Sequence, residues 1–277
     1  MPERQLSAPA SGPLHLTVDA EHLDLHVRVV PGLSTAEIVL TGDQEMLDTA
    51  QTTGAAGAWT LKVRTAAPIT GSVHITGRRT VINADVIHAS VIMTGSATVI
   101  DGVSFGRGAT LIGNNGVSGS TRTTTGPDAY VRLPQGSSLT TRLRSGTVRT
   151  SGRLERVDHQ CASGLLVVAF AETVRARSQT GTVRVLSATQ VDAKTLSGDV
   201  KVIADGPVRA HTLSGDVKVT TGGPVDAHTV SGDVKVTAAA PTQIDAHTVD
   251  GDITVDKNGH PCTVRHHTVS GTVRVRG

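Results

Sequence analysis

The stretch that decides the fold is AKTLSGDVKV at residues 193–202, which recurs as AHTLSGDVKV at 210–219 and as AHTVSGDVKV at 227–236. Two further copies follow, AHTVDGDITV at 246–255 and HHTVSGTVRV at 266–275. The first three copies begin 17 residues apart, and the last two begin after spacings of 19 and 20 residues. A unit this short cannot fold alone, so the pattern predicts a stack in which each copy packs on its neighbours.

The additional residues of the longer spacings fall in AAAPTQ (238–243) and DKNGHPC (256–262). Both segments contain residues typical of loops, so we expect insertions at a solvent-facing corner of the stack.

A glycine occupies the same position in every copy, and equivalent glycines extend the pattern toward the amino terminus. The members of this glycine column are Gly146, Gly164, Gly181, Gly198, Gly215, Gly232, Gly251 and Gly271. Glycine at a bend adopts backbone angles that a β-branched residue cannot adopt. We therefore predict that these residues form structural turns of the repeat, with no binding or catalytic role.

Each copy contains two short strands around the Ser-Gly pair, and no segment has the periodicity of a long helix. In DVKV, alternation directs Val200 and Val202 inward and Asp199 and Lys201 outward. The sequence predicts an all-β fold, a single-stranded parallel β-solenoid (β-helix) with coils of about 17 residues and Val ladders in its core.

The amino-terminal half is less regular. We predict a disordered lead at residues 1–13, then a β-rich cap or irregular first coils at 14–68, and the solenoid at 69–277. Within the last range, residues 114–128 are rich in Gly, Ser and Thr and indicate a loop. A cap is expected because an open terminal coil is an exposed sheet edge.

Charge and aromatic content narrow the classes of function. Lys and Arg number 26 against 24 Asp and Glu, so the chain lacks the basic excess typical of nucleic acid binding. The chain has only four Phe, Trp and Tyr residues, and they are scattered along the sequence: Trp59, Phe105, Tyr130 and Phe170. They form no platform for stacking bases or sugars, and we expect no nucleic acid partner.

Cysteine usage and the amino terminus bear on the compartment. Cys161 and Cys262 lie far apart in different repeats, which predicts two free thiols. The leading MPERQLSAPASGPLHL lacks the apolar core of a secretory signal, and no stretch of eighteen uninterrupted apolar residues predicts a membrane span. We expect a cytoplasmic protein, with the cell surface or secretion as the alternative.

The segment AYVRLPQGSSLTTRLRSGTVRTSG at 129–152, combined with the repeated SGDVKV, resembles a bacterial family of β-strand-repeat proteins of unknown function labelled "putative adhesins". The resemblance covers about residues 126–277. It implies a β-solenoid, brings no catalytic residues and suggests a surface adhesin. The stacked short coils are also similar in architecture to bactofilins, which are polymer-forming bacterial cytoskeletal proteins.

One column of the repeat could hold a metal ion. Its members, one coil apart if the register holds, are Lys194, His211, His228, His247 and His267. Two positions before them stand Asp192, Arg209, Asp226, Asp245 and Arg265. Carboxylates mixed with guanidinium groups do not match an ordinary ligand set. We therefore expect a solvated or hydrogen-bonded face, with no metal and no cofactor.

Two other columns have structural and functional interpretations. Asp199, Asp216, Asp233 and Asp252 run beside Lys201, Lys218 and Lys235. Ion pairing along and between the coils is the expected role, ahead of an acidic catalytic pair. The threonine column consists of Thr195, Thr212, Thr229, Thr248 and Thr268. A single file of threonines indicates a ladder that satisfies its own hydroxyls, ahead of an ice-binding surface.

The sequence contains no phosphate-binding loop, nucleophile elbow or HExxH motif. We therefore predict a non-catalytic scaffold that binds a protein partner or assembles with copies of itself, and a small-molecule ligand is not expected. An exported adhesin is one alternative. A polysaccharide-acting β-helix enzyme is another, although such enzymes generally have longer coils and a substrate cleft.

Overall fold

The computed structural model describes residues 2–42, 44–64 and 127–277, and the backbone of six short strands between residues 73 and 105. The chain divides into two compact units. The first combines Met1–Arg64 with Pro127–Gly277, and the second is Thr65–Gly126.

The first unit begins with six strands and one short helix. They are β1 (Glu3–Ser11), β2 (His15–His22), β3 (Asp24–Val29), β4 (Thr35–Thr41), α1 (Gln44–Thr49), β5 (Gln51–Ala55) and β6 (Ala58–Val63). The second unit contains β7 (Val73–Thr76), β8 (Val81–Ile82), β9 (Val86–Ile87), β10 (Val91–Thr94), β11 (Val99–Ile100) and β12 (Ser104–Phe105).

The chain returns to the first unit with β13 (Asp128–Leu133) and β14, a 48-residue strand that bends through successive corners (Ser138–Val185). The remaining strands alternate between the two sides of the coils. They are β15 (Ala188–Ser197), β16 (Val200–Ala204), β17 (Val208–Ser214), β18 (Val217–Thr221), β19 (Val225–His228), β20 (Val234–Ala238), β21 (Gln243–His247), β22 (Ile253–Asp256), β23 (Thr263–His267) and β24 (Val273–Arg276).

Parallel pairing between equivalent strands confirms the predicted β-solenoid. On one side of the stack, β15 pairs with β17 and β17 with β19, and on the other side β16 pairs with β18 and β18 with β20. Val191 lies beside Val208, and Val200 beside Val217, so each step matches the 17-residue repeat. The longer steps retain the same register, because β20 pairs with β22 and β22 with β24.

The core is aliphatic and follows the predicted alternation. Val200, Val202, Val217 and Val219 are fully or almost fully buried, whereas Lys218 is exposed. On the opposite side of the coils, the inward positions of β15, β17, β19 and β21 carry a valine or isoleucine and an alanine, and a buried threonine follows in each coil. Stacking of identical apolar side chains lets this thin core form without large rings.

The glycine column forms the sharp corner between the two sides of each coil. All eight glycines have positive φ, between 138° and 154°. A side chain is also excluded by space, because a Cβ at each would lie only 2.0–2.5 Å from the carbonyl oxygen of the residue one coil below. Backbone conformation and close stacking therefore both require glycine at these positions.

The first coil is built from β2 and β3, which pair in parallel with β14. The layer beneath consists of β6, which pairs with β2, and β13, which pairs with β3. The chain leaves this layer after Arg64 and rejoins it at Pro127, whose carbonyl oxygen accepts a hydrogen bond from the Asp24 N–H. In sequence, the second unit is thus an insertion between β6 and β13.

Antiparallel strands cover this end of the stack. β4 pairs with β13, β5 pairs with β6, and β1 pairs with β4. Arg4 of β1 donates to the carbonyl oxygens of Leu47 and Ala50 at distances of 2.7 and 2.9 Å. The segment expected to be a disordered lead, residues 1–13, contains the paired strand β1, because β4 offers it an open edge.

The division of the chain also differs from the sequence-based boundaries at 14–68 and 69–277. Strands β2, β3 and β6 belong to the same stack as the carboxyl-terminal coils, and the insertion begins at Thr65. Within the inserted unit, β7 pairs in parallel with β10, β8 with β11 and β9 with β12, each 18 residues on, as in Val73 beside Val91. Most of the loop predicted at 114–128 lies outside the described residues.

Candidate binding surfaces

The aspartate column makes a different contact from the one expected. Asp199 accepts a hydrogen bond from the Asp216 N–H, Asp216 from Asp233, and Asp233 from Asp252, at 2.8–3.0 Å. Among the residues that the structure describes, the expected ion pairing between coils occurs only at Asp252, which lies 3.6 Å from Arg274 of the next coil. In the same part of the chain, no ion pair joins these carboxylates to the neighbouring lysines. The side chains turn toward the corner because charged acceptors form strong hydrogen bonds to backbone N–H groups.

The threonine column points into the core. Thr212 donates to the carbonyl oxygens of Gly198 and Ser214, both at 3.3 Å, and Thr229 repeats this contact with Gly215 and Ser231. Thr248 and Thr268 likewise donate to the carbonyl oxygens of Gly232 and Gly251, whereas the Thr195 hydroxyl has no partner among the described residues. The sequence indicated bonds within the ladder, but the other hydroxyls of this column bond to backbone carbonyls and do not form a surface array.

The histidine column has the predicted register. His211 lies beside His228, His228 beside His247, and His247 beside His267, with Lys194 next to His211 at the other end. The ring centroids are 4.9, 4.6 and 6.2 Å apart in that order. His211, His228 and His247 are partly exposed, at 36–42 % of the side chain.

Carboxylates from the adjacent column contact these rings. The Nε2 atom of His228 lies 2.6 Å from Asp226 Oδ1, and His211 Nε2, from the preceding coil, lies 3.4 Å from Asp226 Oδ2. His247 and Asp245 form a similar contact at 2.5 Å. Asp226 therefore lies between the imidazoles of two successive coils. It reaches His211 from the next coil, because the residue two positions before His211 in its own coil is Arg209.

A basic pocket of about 850 Å³ is a second surface feature, and no sequence pattern predicted it. Its five cationic lining residues are Lys62, Arg64, Arg142, Arg144 and Arg177. The acidic lining residues are Asp19 and Glu21. The cations are exposed, and none forms an ion pair within the part of the chain that the structure describes.

Parallel pairing explains why these cations converge. Asp19 of β2 has Lys62 of β6 on one side and Arg142 of β14 on the other. Adjacent strands in a sheet are about 4.8 Å apart, so the outward positions of successive layers form one continuous surface. No signal in the linear sequence marks this pocket, since its residues come from five separate segments.

A file of aliphatic side chains runs beside the glycine corner. Its members are Leu196, Leu213, Val230, Val249 and Val269, which are 43–71 % exposed. Each follows the inward threonine of its coil, and the alternation of the strand therefore directs it to solvent. The file is a consequence of the repeat.

His159 is a buried titratable group of the core. It is 2 % exposed, and its Nδ1 atom lies 2.7 Å from the Thr141 hydroxyl. Burial lowers the pKa of His159 from 6.5 to about 4, because the charged imidazolium would lose its hydration. The His159 side chain is therefore neutral in the folded protein at neutral pH.

The folded protein should become less stable as the pH falls below the unfolded pKa of His159. The unfolded chain gains the proton near pH 6.5, whereas the folded chain resists it until about pH 4. From neutral pH to about pH 5 we expect a loss of about 2 kcal/mol in the free energy of unfolding from this residue. Urea denaturation of the wild type and of His159→Gln at several pH values measures this loss. If the free energy of unfolding changed equally with pH in the two proteins, the prediction would be wrong.

The cysteines match their predicted state, since both are free, with Cys161 buried and Cys262 partly buried. Burial raises the pKa of the Cys161 thiol, and the carbonyl oxygen of Ser163 accepts its hydrogen bond. Of the helices in the described residues, none has the length and apolar character needed to cross a membrane.

A family comparison matches residues 108–276 to the model of the Toastrack DUF4097 domain. The chain belongs to the Toastrack DUF4097 family. The match spans the inserted unit's last residues and the whole carboxyl-terminal stack, which contains the glycine, threonine and aspartate columns. No curated protein matches the chain at the significance threshold applied.

Two solved structures are similar to this Toastrack chain at low sequence identity. A protein of Parabacteroides distasonis described as a "putative lipid binding protein" has a TM-score of 0.51 at 10 % identity, covering 99 % of this chain and 94 % of its own. A "putative adhesin" of Bacteroides fragilis has a TM-score of 0.49 at 11 % identity, covering 99 % and 97 %. The first likeness extends to the fold alone.

Proposed function

We propose that the chain is a non-catalytic scaffold that binds an acidic segment of a partner protein in the basic pocket. The observation that carries this proposal is the convergence of five exposed cations against two carboxylates in one concave surface. Cationic side chains without partners of their own attract a complementary negative segment and speed its association.

The solenoid makes the pocket rigid. Lys62, Asp19 and Arg142 are held in register by the parallel ladders of β6, β2 and β14, so their backbones do not need to move on binding. A preorganised surface loses less conformational entropy when a partner binds. This supports a binding function for outward positions that have no evident role in the core.

The pocket favours a protein segment over other anions. Its lining residues include no aromatic ring on which a base could stack, and Asp19 and Glu21 would repel a continuous phosphate backbone. It is also open to solvent, whereas sites for small molecules generally enclose most of the ligand. An acidic peptide with uncharged residues between its carboxylates fits this mixed lining best.

Head-to-tail assembly, the other form of the scaffold hypothesis, is less well supported. β4 and β5 pair in antiparallel orientation with the first layer, so a parallel coil from another copy cannot continue the stack at that end. Growth of a filament requires that both ends of the stack accept a coil. We therefore favour a separate partner protein.

We further place this scaffold in the cytoplasm, as its two free thiols fit a reducing compartment. Fractionation of the native cell tests this location. Recovery of the protein at the cell surface would instead support an exported adhesin.

Reversal of two pocket charges should abolish most of the binding. We expect Arg142→Glu combined with Arg144→Glu to weaken binding of a fluorescent glutamate-rich peptide by about tenfold or more, since two attractions become repulsions. Fluorescence anisotropy with the full chain measures the affinity. The matched control combines Arg184→Glu with Lys201→Glu. It changes the net charge by the same amount, at exposed or partly exposed positions outside the pocket.

The control pair should change the affinity by less than about threefold. Equal losses in both variants would show general charge attraction and reject the pocket as the site. Tighter binding of a single-stranded oligonucleotide than of the peptide would reject the protein partner. Absence of peptide binding to the wild type would also reject the proposal.

A further inference from the structure

We propose that His211, Asp226 and His228 form a binding site for a divalent transition-metal ion. One ring nitrogen of each histidine and one oxygen of the Asp226 carboxylate all lie within 4.8 Å of one another. Three ligands of these types are sufficient to bind such an ion and leave a further position for water.

The distances suit this assignment after a small adjustment. With metal–ligand bonds of about 2.0–2.2 Å, the ligand atoms of a tetrahedral site lie about 3.4 Å apart. His211 Nε2 and Asp226 Oδ2 are already 3.4 Å apart. His228 Nε2 and Asp226 Oδ1 are 2.6 Å apart, the distance of a hydrogen bond, and rotation of the partly exposed side chains widens it.

His211 provides an independent indication. Its Nε2 atom is shielded from solvent and makes no hydrogen bond to any residue that the structure describes. Buried nitrogen atoms are normally satisfied, so this atom, directed toward Asp226, is free to accept a ligand bond.

The charges around the site set its affinity. In the ladders, Lys194 lies beside His211, His247 beside His228, and Arg209 and Asp245 on either side of Asp226. The two cations oppose a bound ion and Asp245 favours it, which indicates moderate affinity.

The ligand types select the class of ion. Imidazole nitrogen combined with one carboxylate suits zinc, cobalt, nickel or copper, whereas magnesium and calcium require mainly oxygen ligands. The ion would also join two coils, because His211 belongs to one and Asp226 and His228 to the next. Binding should therefore raise the melting temperature of the folded chain.

Isothermal titration calorimetry of the full chain with zinc chloride tests the site. We expect one ion per chain, and Asp226→Asn should weaken binding by about tenfold or more while retaining the shape of the side chain. Asp245→Asn is the matched control, because Asp245 contacts one histidine within the same type of ladder. Circular dichroism in the presence of chelator checks that each variant is folded.

The control should change zinc affinity by less than about threefold, and cobalt(II) should show the absorption of a nitrogen-coordinated ion that is lost in Asp226→Asn. Equal weakening by the two substitutions would show diffuse binding to exposed histidines and overturn the proposal. Binding of magnesium as tight as that of zinc, or no zinc binding by the wild type, would overturn it too.

Discussion

Val217→Asp is expected to lower the free energy of unfolding by about 3 kcal/mol or more, because it places a carboxylate in an apolar core. Val217 is fully buried, with Val200 beside it in the coil below and Val234 in the coil above. No charged partner is available in that ladder. The effect should also reach both neighbouring coils, since each depends on this one for its backbone hydrogen bonds.

Lys218→Asp, one residue further along, is the matched control. Lys218 is exposed and lies between Lys201 and Lys235, so a new carboxylate there gains two opposite charges. We expect a change of less than about 1 kcal/mol in the free energy of unfolding. Urea denaturation of both variants measures the contrast, and equal destabilisation would disprove the inward and outward assignment of the strand.

The contrast between these two positions was predictable from the sequence because it depends on local alternation. Val200 and Val202 point inward as a consequence of the strand pleat, and the exact repeat extends that direction to every coil. The corner glycines followed in the same way. Periodicity fixes such features without any knowledge of which segments meet in space.

The aspartate column shows where that reasoning stops. Asp199 and Lys201 are close in sequence and of opposite charge, which suggested an ion pair. The backbone N–H of Asp216 lies within reach only because the next coil is stacked directly above, and it provides the better partner. Whether the Asp199 carboxylate contacts a solvated lysine or an ordered backbone N–H depends on the geometry of the corner, which the residue types do not reveal.

Both candidate sites depend on contacts between distant segments. In the sequence, Arg209 stands two positions before His211, which argued against a metal site at that histidine. In the structure, Asp226 reaches the His211 ring from the following coil. The basic pocket was harder to foresee, since the insertion separates Lys62 and Arg142 in sequence while β2 joins them in space. A pairing scheme for the first layers would have been needed to find it.

Gly198→Ala should be among the most destabilising small substitutions in the protein. An added Cβ would lie 2.1 Å from the Gly181 carbonyl oxygen, at a φ of +148°. The backbone cost of such a conformation is of order 1–3 kcal/mol, and the clash with stacked backbone adds to it, so we expect a loss of about 3 kcal/mol or more.

Gly259→Ala separates the two contributions, because Gly259 also has positive φ, +76°, but no atom within 4 Å of the added Cβ. This control should lose only about 1–2 kcal/mol, the cost of a left-handed backbone for an L-residue. Chemical denaturation of the two variants gives the difference. A loss for Gly198→Ala above about 3 kcal/mol, the upper backbone cost at its own φ, means that the contact between successive corners, beyond glycine's conformational freedom, restricts this column to glycine. Equal losses would show that the coils can separate enough to admit a methyl group, and that the close stacking of the corners is not what holds them in register.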